Sequence, residues 1–197
     1  MNYQLLHQIS FFLLYGCLVL GFGIAVERII FYFYTLRHAR RIEVLTANGS
    51  RSLAELSQQV GEQDNVPAAA VRALAAERSK TENAGQMENL SQAVYLDMRT
   101  RLNRHLWVLD TIVTAAPLLG LLGTILGIIE TFTTLASSGI SDPKGVSAGI
   151  GTALFATALG ISTALIVLVF LNHFNDRVDR ISDHLKILIL RCSTFDV

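Results

Sequence analysis

Charge is scarce in this chain of 197 residues: 16% of the side chains are Asp, Glu, Lys or Arg, against 51% hydrophobic. The charge that is present cancels, with 16 basic and 16 acidic residues. A zero balance gives no argument for a nucleic-acid partner, so only the placement of the charges is informative. Cysteine is nearly absent. Cys17 falls in an apolar run and Cys192 in a polar tail, so a bridge would have to join different depths, and neither is expected to pair. Two isolated cysteines with no histidine cluster make no metal site. His38, His105 and the scattered acids of the polar middle region show no nucleophile with its base and no ligand spacing. His173 and His184 lie on a tail where a solvated face is expected. With no phosphate-cradling glycine loop either, no enzyme activity, cofactor or metal is expected.

What the chain has in excess is long apolar sequence. Its mean hydropathy of +0.44 is above that of ordinary soluble domains. Residues 9–26, 111–129 and 145–175 are nearly free of charge. Each is close to or beyond the ~20 residues with which a helix crosses ~30 Å of hydrocarbon. The expected fold is an all-α membrane protein with three transmembrane helices, at 9–34, 110–136 and 146–171, and long helical cytoplasmic extensions. Ten of the sixteen Lys and Arg fall between Thr35 and Trp107 and four follow Asn172, whereas the segment joining the second and third spans has only Lys144. The positive-inside rule therefore puts residues 35–109 and 172–197 in the cytoplasm and 1–8 and 137–145 outside. No small-residue cleavage site follows the first run, which is expected to stay as an anchor.

The first span ends in VERIIFYFY, where Phe31, Tyr32, Phe33 and Tyr34 supply an interfacial aromatic belt and Glu27 and Arg28 an adjacent, snorkelling charge pair. In the polar region NGS at 48–50 reads as a turn and Pro67 as a helix start, with helices near 51–62, 67–80 and from about 84 onward. Leu90, Val94, Met98, Leu102, Leu106 and Leu109 recur at steps of three and four with no breaker, which predicts one helix running on into the second span. Phe174, Val178, Ile181, Leu185 and Leu188 form an apolar seam on a tail helix continuous with the third span. Asp176, Arg177, Asp179, Arg180 and Asp183 cover the rest of the tail, either as a solvated face with local ion pairs or as a charged vestibule.

Lipid gives helices no hydrophobic reason to associate, so spans approach through small residues and interhelical hydrogen bonds. In the second span Gly120, Gly123, Thr124, Gly127 and Thr131 mark one such face; in the third, Gly149, Ala153, Ala156, Gly160 and Ala164 mark another. Thr157 borders the second stripe, whereas Thr152 is rotated away from it. Either hydroxyl can simply bond back to the carbonyl one turn earlier, which says nothing of function. Ionisable groups near membrane depth are few: Glu27, Asp110 and Glu130, each toward a span end. None lies at mid-depth in the third span, so a proton passing there needs a titrating group from another chain.

TAAPLLGLLGTILGIIETF at 114–132 and DPKGVSAGIGTALFATALGISTALIVLVFLNHF from 142, with NHFNDRVDRI in the tail, resemble the ExbB/TolQ/MotA family of proton-channel subunits, and ExbB most. The resemblance implies a bacterial inner-membrane assembly of five copies around the helices of an ExbD-like single-span partner that carries a protonatable aspartate. It also implies a TonB-like protein that transmits the work to outer-membrane receptors for siderophores, haem or cobalamin. Thr124 matches the threonine of the family's GLxGT motif and Thr157 that of its ALxATA motif, and both are implied to face the partner's aspartate. Many relatives read GIAEAL where this chain reads GIGTAL, so Thr152 stands where they carry an acid, and it is counted with Thr124 and Thr157 among the candidate pore-lining residues of the proton pathway. Two rivals stay open: a TolQ-like subunit for envelope integrity, and a scaffold whose stripes only hold helices together.

Overall fold

The computed structural model describes residues 3–47, 57–58, 65–78, 84–138 and 143–194. They form five helices: α1 Tyr3–Ala47, α2 Val66–Arg78, α3 Ala84–Asn103, α4 Leu106–Ser138 and α5 Pro143–Thr194. No strand occurs among the described residues. Three of the helices contain stretches long and apolar enough to cross a membrane: Leu5–Ala39, Leu106–Ser137 and Pro143–Arg191. At 1.5 Å per residue the 45 residues of α1 and 52 of α5 extend about 68 and 78 Å, more than twice the ~30 Å of a hydrocarbon core. The described residues therefore make an all-α fold, with three candidate spans and helical extensions of two of them.

The described residues fall into two compact units, Met1–Val26 with His105–Asn172, and Glu27–Arg104 with His173–Val197. The first holds the N-terminal part of α1, all of α4 and the N-terminal part of α5. Its contacts are built from small side chains. A Cβ on Gly21 of α1 would stand 2.9 Å from the Val167 side chain of α5 and 3.6 Å from that of Ile112 of α4, so glycine lets three helices meet at one level. Pro117 lies inside α4. Lacking an N–H, it gives the Val113 carbonyl no partner one turn back.

The second unit gathers the remainder of α1 and α5 with α2 and α3. Its core follows the tail seam: Phe174, Val178, Ile181, Leu185 and Leu188 are all buried, as are Met98 and Leu102 of α3. Asn65 caps α2, its side-chain oxygen accepting from the Ala68 N–H at 2.9 Å, with Pro67 in the first turn where a missing donor costs nothing. Tyr32 of α1 packs its ring 5.6 Å from that of Phe174 and donates its hydroxyl to the Leu102 carbonyl at 2.9 Å. Leu102 is in the last turn of α3, whose carbonyls have no partner within the helix, so the phenol satisfies a helix end. Tyr32→Phe should cost about 1 kcal/mol, read as a lowered Tm with an unchanged helical circular dichroism spectrum.

Several expectations meet the structure differently. The helix expected to run unbroken from 84 into the second span is interrupted at Arg104–His105, where His105 has φ 70°. Histidine is among the non-glycine residues that tolerate this left-handed conformation. It ends α3 much as a glycine would and lets α4 begin, with Val108 N–H bonding to the His105 carbonyl at 3.2 Å. Arg28 does not snorkel into solvent. It is 2% exposed, pairs with Glu27 at 3.3 Å and lies 4.9 Å from the Phe31 ring centroid, so a carboxylate and an aromatic face replace its water. Of the tail's exposed charges, Arg180 pairs with Asp176 one turn away at 2.9 Å and Asp179 reaches Arg99 of α3 at 3.8 Å. The Arg180 guanidinium holds the Asp176 carboxyl below the usual range. The turn at 48–50, most of the helix near 51–62 and the Cys192 side chain lie outside the described residues.

Candidate functional site

The site begins with the closest approach of α4 and α5. A Cβ placed on Gly160 would stand 2.5 Å from the Ala116 carbonyl oxygen and 3.1 Å from the Gly120 Cα. One on Gly120 would stand 2.9 Å from the Ala156 carbonyl oxygen. Both obstacles are main chain, so the two helices meet backbone to backbone. Further along, Gly123 and Gly127 receive the methyl groups of Ala156 and Ala153, each 2.9 Å from where a Cβ would sit, and Gly149 of α5 receives the Thr131 side chain. The residues read as packing stripes in the sequence, Gly120, Gly123, Gly127, Gly149, Ala153, Ala156 and Gly160, thus lie along one α4–α5 contact.

Because the backbones are so close, short side chains reach across. The Thr124 hydroxyl lies 3.1 Å from both the Gly120 carbonyl of its own helix and the Ala153 carbonyl of α5. The Thr157 hydroxyl lies 3.2 Å from the Gly120 carbonyl of α4, and the two hydroxyls are hydrogen-bonded to each other. Each hydroxyl has one proton to donate and can accept as well. With Thr157 donating to Thr124, Thr124 donates to Ala153; with the direction reversed, Thr157 donates to Gly120. Both placements use every donor, so the cluster can reverse its hydrogen bonds without losing one. Neutral hydroxyls do not hold a proton at neutral pH, however, so this cluster can solvate or pass one but cannot store it.

Thr152 belongs elsewhere. It is exposed, and its hydroxyl donates to the Ala148 carbonyl one turn back at 3.0 Å. The structure brings Thr124 and Thr157 together and leaves Thr152 apart from them. No group of three or more His, Cys, Asp or Glu side chains suited to a metal occurs among the described residues.

One pair has no signal in the local sequence. His7 of α1 places Nδ1 3.1 Å from a carboxylate oxygen of Glu130 of α4, 123 positions away. Its ring lies edge-on to Phe11 with centroids 5.1 Å apart, and its backbone carbonyl accepts the Ser10 hydroxyl at 2.7 Å. The other ring nitrogen, Nε2, is buried without a hydrogen-bond partner, 3.0 Å from where a Gly127 Cβ would stand. A lone histidine in an apolar helix start gives no periodicity to read, and only the folded arrangement supplies its acid.

The fold and this site together define a multi-pass helical membrane protein in which two candidate spans are joined by hydroxyls at a glycine crossing. The chain belongs to the MotA/TolQ/ExbB proton channel family, whose model matches residues 59–187. It is 33% identical to biopolymer transport protein ExbB-like 3 of Synechocystis sp. over 171 residues, 82% of this chain and 78% of that one. It is 36% identical to biopolymer transport protein ExbB of Aquifex aeolicus over 93 residues, 47% of this chain and 62% of the relative. It is 32% identical to an ExbB homolog of Methanothermobacter thermautotrophicus over 106 residues, 54% of this chain and 37% of the relative. Within the family it sides with ExbB, and it spans less than two thirds of the length of the last two.

Proposed function

We propose that this chain is an ExbB-like subunit of an inner-membrane motor that uses the proton-motive force to energise TonB-dependent import across an outer membrane. Thr124 and Thr157 line the proton pathway, and the glycine and alanine stripes set its helix spacing. The observation that carries this reading is the reversible hydroxyl cluster at the α4–α5 crossing, in a chain of a proton channel family. Such a cluster offers a passing proton hydrogen bonds in either direction, and it needs a titrating group to carry the charge. That group is the aspartate of an ExbD-like single-span partner, held within a ring of copies, five by the family resemblance, with the N-terminus of this chain periplasmic and its C-terminus cytoplasmic. Interhelical hydrogen bonds in membranes average about 0.6 kcal/mol. One proton crossing 100 mV releases roughly 2.3 kcal/mol, enough to reset several of them.

The test is a deletion strain together with affinity purification of the tagged chain. The expected result is loss of energised siderophore, haem or cobalamin uptake and recovery of a single-span protein with an aspartate near the start of its span. Normal uptake with new detergent sensitivity would move the reading to a TolQ-like role. Recovery of no such partner, with both phenotypes absent, would leave only a scaffold.

A further inference from the structure

The hydroxyl cluster cannot store a proton, and position 152 offers no acid. We propose that His7 and Glu130 form a proton-loading site at the outward end of the assembly, an inference that rests on the reading of the chain as a proton-channel subunit with its N-terminus outside.

The pair is an ion-capable contact between α1 and α4, within one unit of the fold. Other titratable groups there are distant along their helices or at their ends. On α1 they are Tyr3 at its first residue, Tyr15 and Cys17; on α4, Asp110, about 30 Å from Glu130 along the helix, with His105 just before it; on α5, Lys144 near its first residue. Histidine is the side chain whose charge changes most readily between pH 5 and 8. With Nδ1–H donating to the Glu130 carboxylate, the lone pair of the ring falls on Nε2.

That lone pair separates a loading site from a mere clamp. A clamp between α1 and α4 uses Nδ1 and needs nothing of Nε2, and a buried acceptor left unused is unfavourable. Here Nε2 is buried, partnerless and seated against Gly127, at the level where α4 meets Ala153 of α5. Three residues before Gly127 in α4 is Thr124, whose hydroxyl reaches the carbonyl of that same Ala153. A proton arriving from outside forms an N–H bond at Nε2, and the imidazolium is held by the Glu130 carboxylate. Breaking that bond delivers the proton to the partner's carboxylate and restores the neutral ring. The side chains of His7 and Glu130 are 13% and 29% exposed, so the pair is shielded but not sealed from the outside.

The experiment uses the full chain assembled with its single-span partner in liposomes, with proton flux followed as the pH on the N-terminal side is stepped from 5 to 8. His7→Gln and Glu130→Gln should each lower flux at least about tenfold and flatten its pH dependence. The swapped double variant His7→Glu with Glu130→His, which restores a titratable pair, should recover flux and a pH-dependent profile. Thr157→Val should lower flux at every pH without reshaping the profile. Wild-type flux and profile in His7→Gln would overturn the proposal, as would a swapped variant that assembles normally and stays as inactive as the single ones. If His7→Gln fails to assemble, the swapped variant decides by the same criterion. No flux from the wild-type assembly at any pH would remove the channel itself and this site with it.

Discussion

A leucine at position 160 is expected to keep α4 and α5 from closing, and the variant should not accumulate as a folded protein in membranes. The reason is which atoms are in the way. A Cβ there meets the Ala116 carbonyl oxygen at 2.5 Å and the Gly120 Cα at 3.1 Å, neither of which can rotate aside. Overpacking a core ordinarily costs 1–3 kcal/mol because side chains shift; with only backbone to shift, a loss of more than about 3 kcal/mol is expected. Gly120→Leu should behave alike, since its obstacles are the Ala156 carbonyl oxygen and the Thr157 Cα. Gly151→Ala is the control. It lies two residues from Gly149 and Ala153 of the stripe and a Cβ there meets nothing within 4 Å, so it should be neutral or stabilising by up to about 1 kcal/mol through helix propensity. Membrane-fraction yield and thermal unfolding in detergent distinguish these outcomes.

The second large effect falls on conduction rather than folding. Thr157→Val and Thr124→Val each replace a hydroxyl by a methyl group of similar size. Each should cost stability on the scale of one interhelical hydrogen bond, about 0.6 kcal/mol and at most about 1.7. Flux should nevertheless fall at least about tenfold, because either change removes a member of a two-hydroxyl cluster and leaves the other with no hydroxyl partner to relay a hydrogen bond. The double variant should be scarcely worse than either single one, as expected of residues that act as a unit. Additive losses would mean that the hydroxyls act separately. A collapse of assembly in step with flux would mean that they only hold the helices together.

Much of this arrangement is legible in the sequence, for identifiable reasons. Spans follow from length and apolarity, and the tail seam from steps of three and four whose members the fold buries. The small-residue stripes give the faces by which α4 and α5 meet. Periodicity cannot give the register between two helices, so it marks Thr124 and Thr157 singly and leaves their mutual bond, 33 residues apart, to the fold. The helical wheel sets Thr152 apart from Thr157, and in the fold its hydroxyl bonds back to the Ala148 carbonyl, outside the Thr124–Thr157 cluster. The break at His105 is invisible because neither glycine nor proline marks it, and an apolar pattern continues across it. Arg28 is buried because Glu27 and Phe31 compensate it together, a three-body arrangement that simple snorkelling leaves out. His7 is the deepest omission, since a single histidine has meaning only beside Glu130.

The most direct measurement is proton flux into liposomes that hold the chain with the proposed single-span partner, wild type beside Thr157→Val, at equal amounts of assembled complex. Flux driven by an imposed potential should be well above that of empty liposomes for the wild type and reduced at least about tenfold in the variant. Equal flux from the two assemblies would contradict a proton pathway through the Thr124–Thr157 cluster.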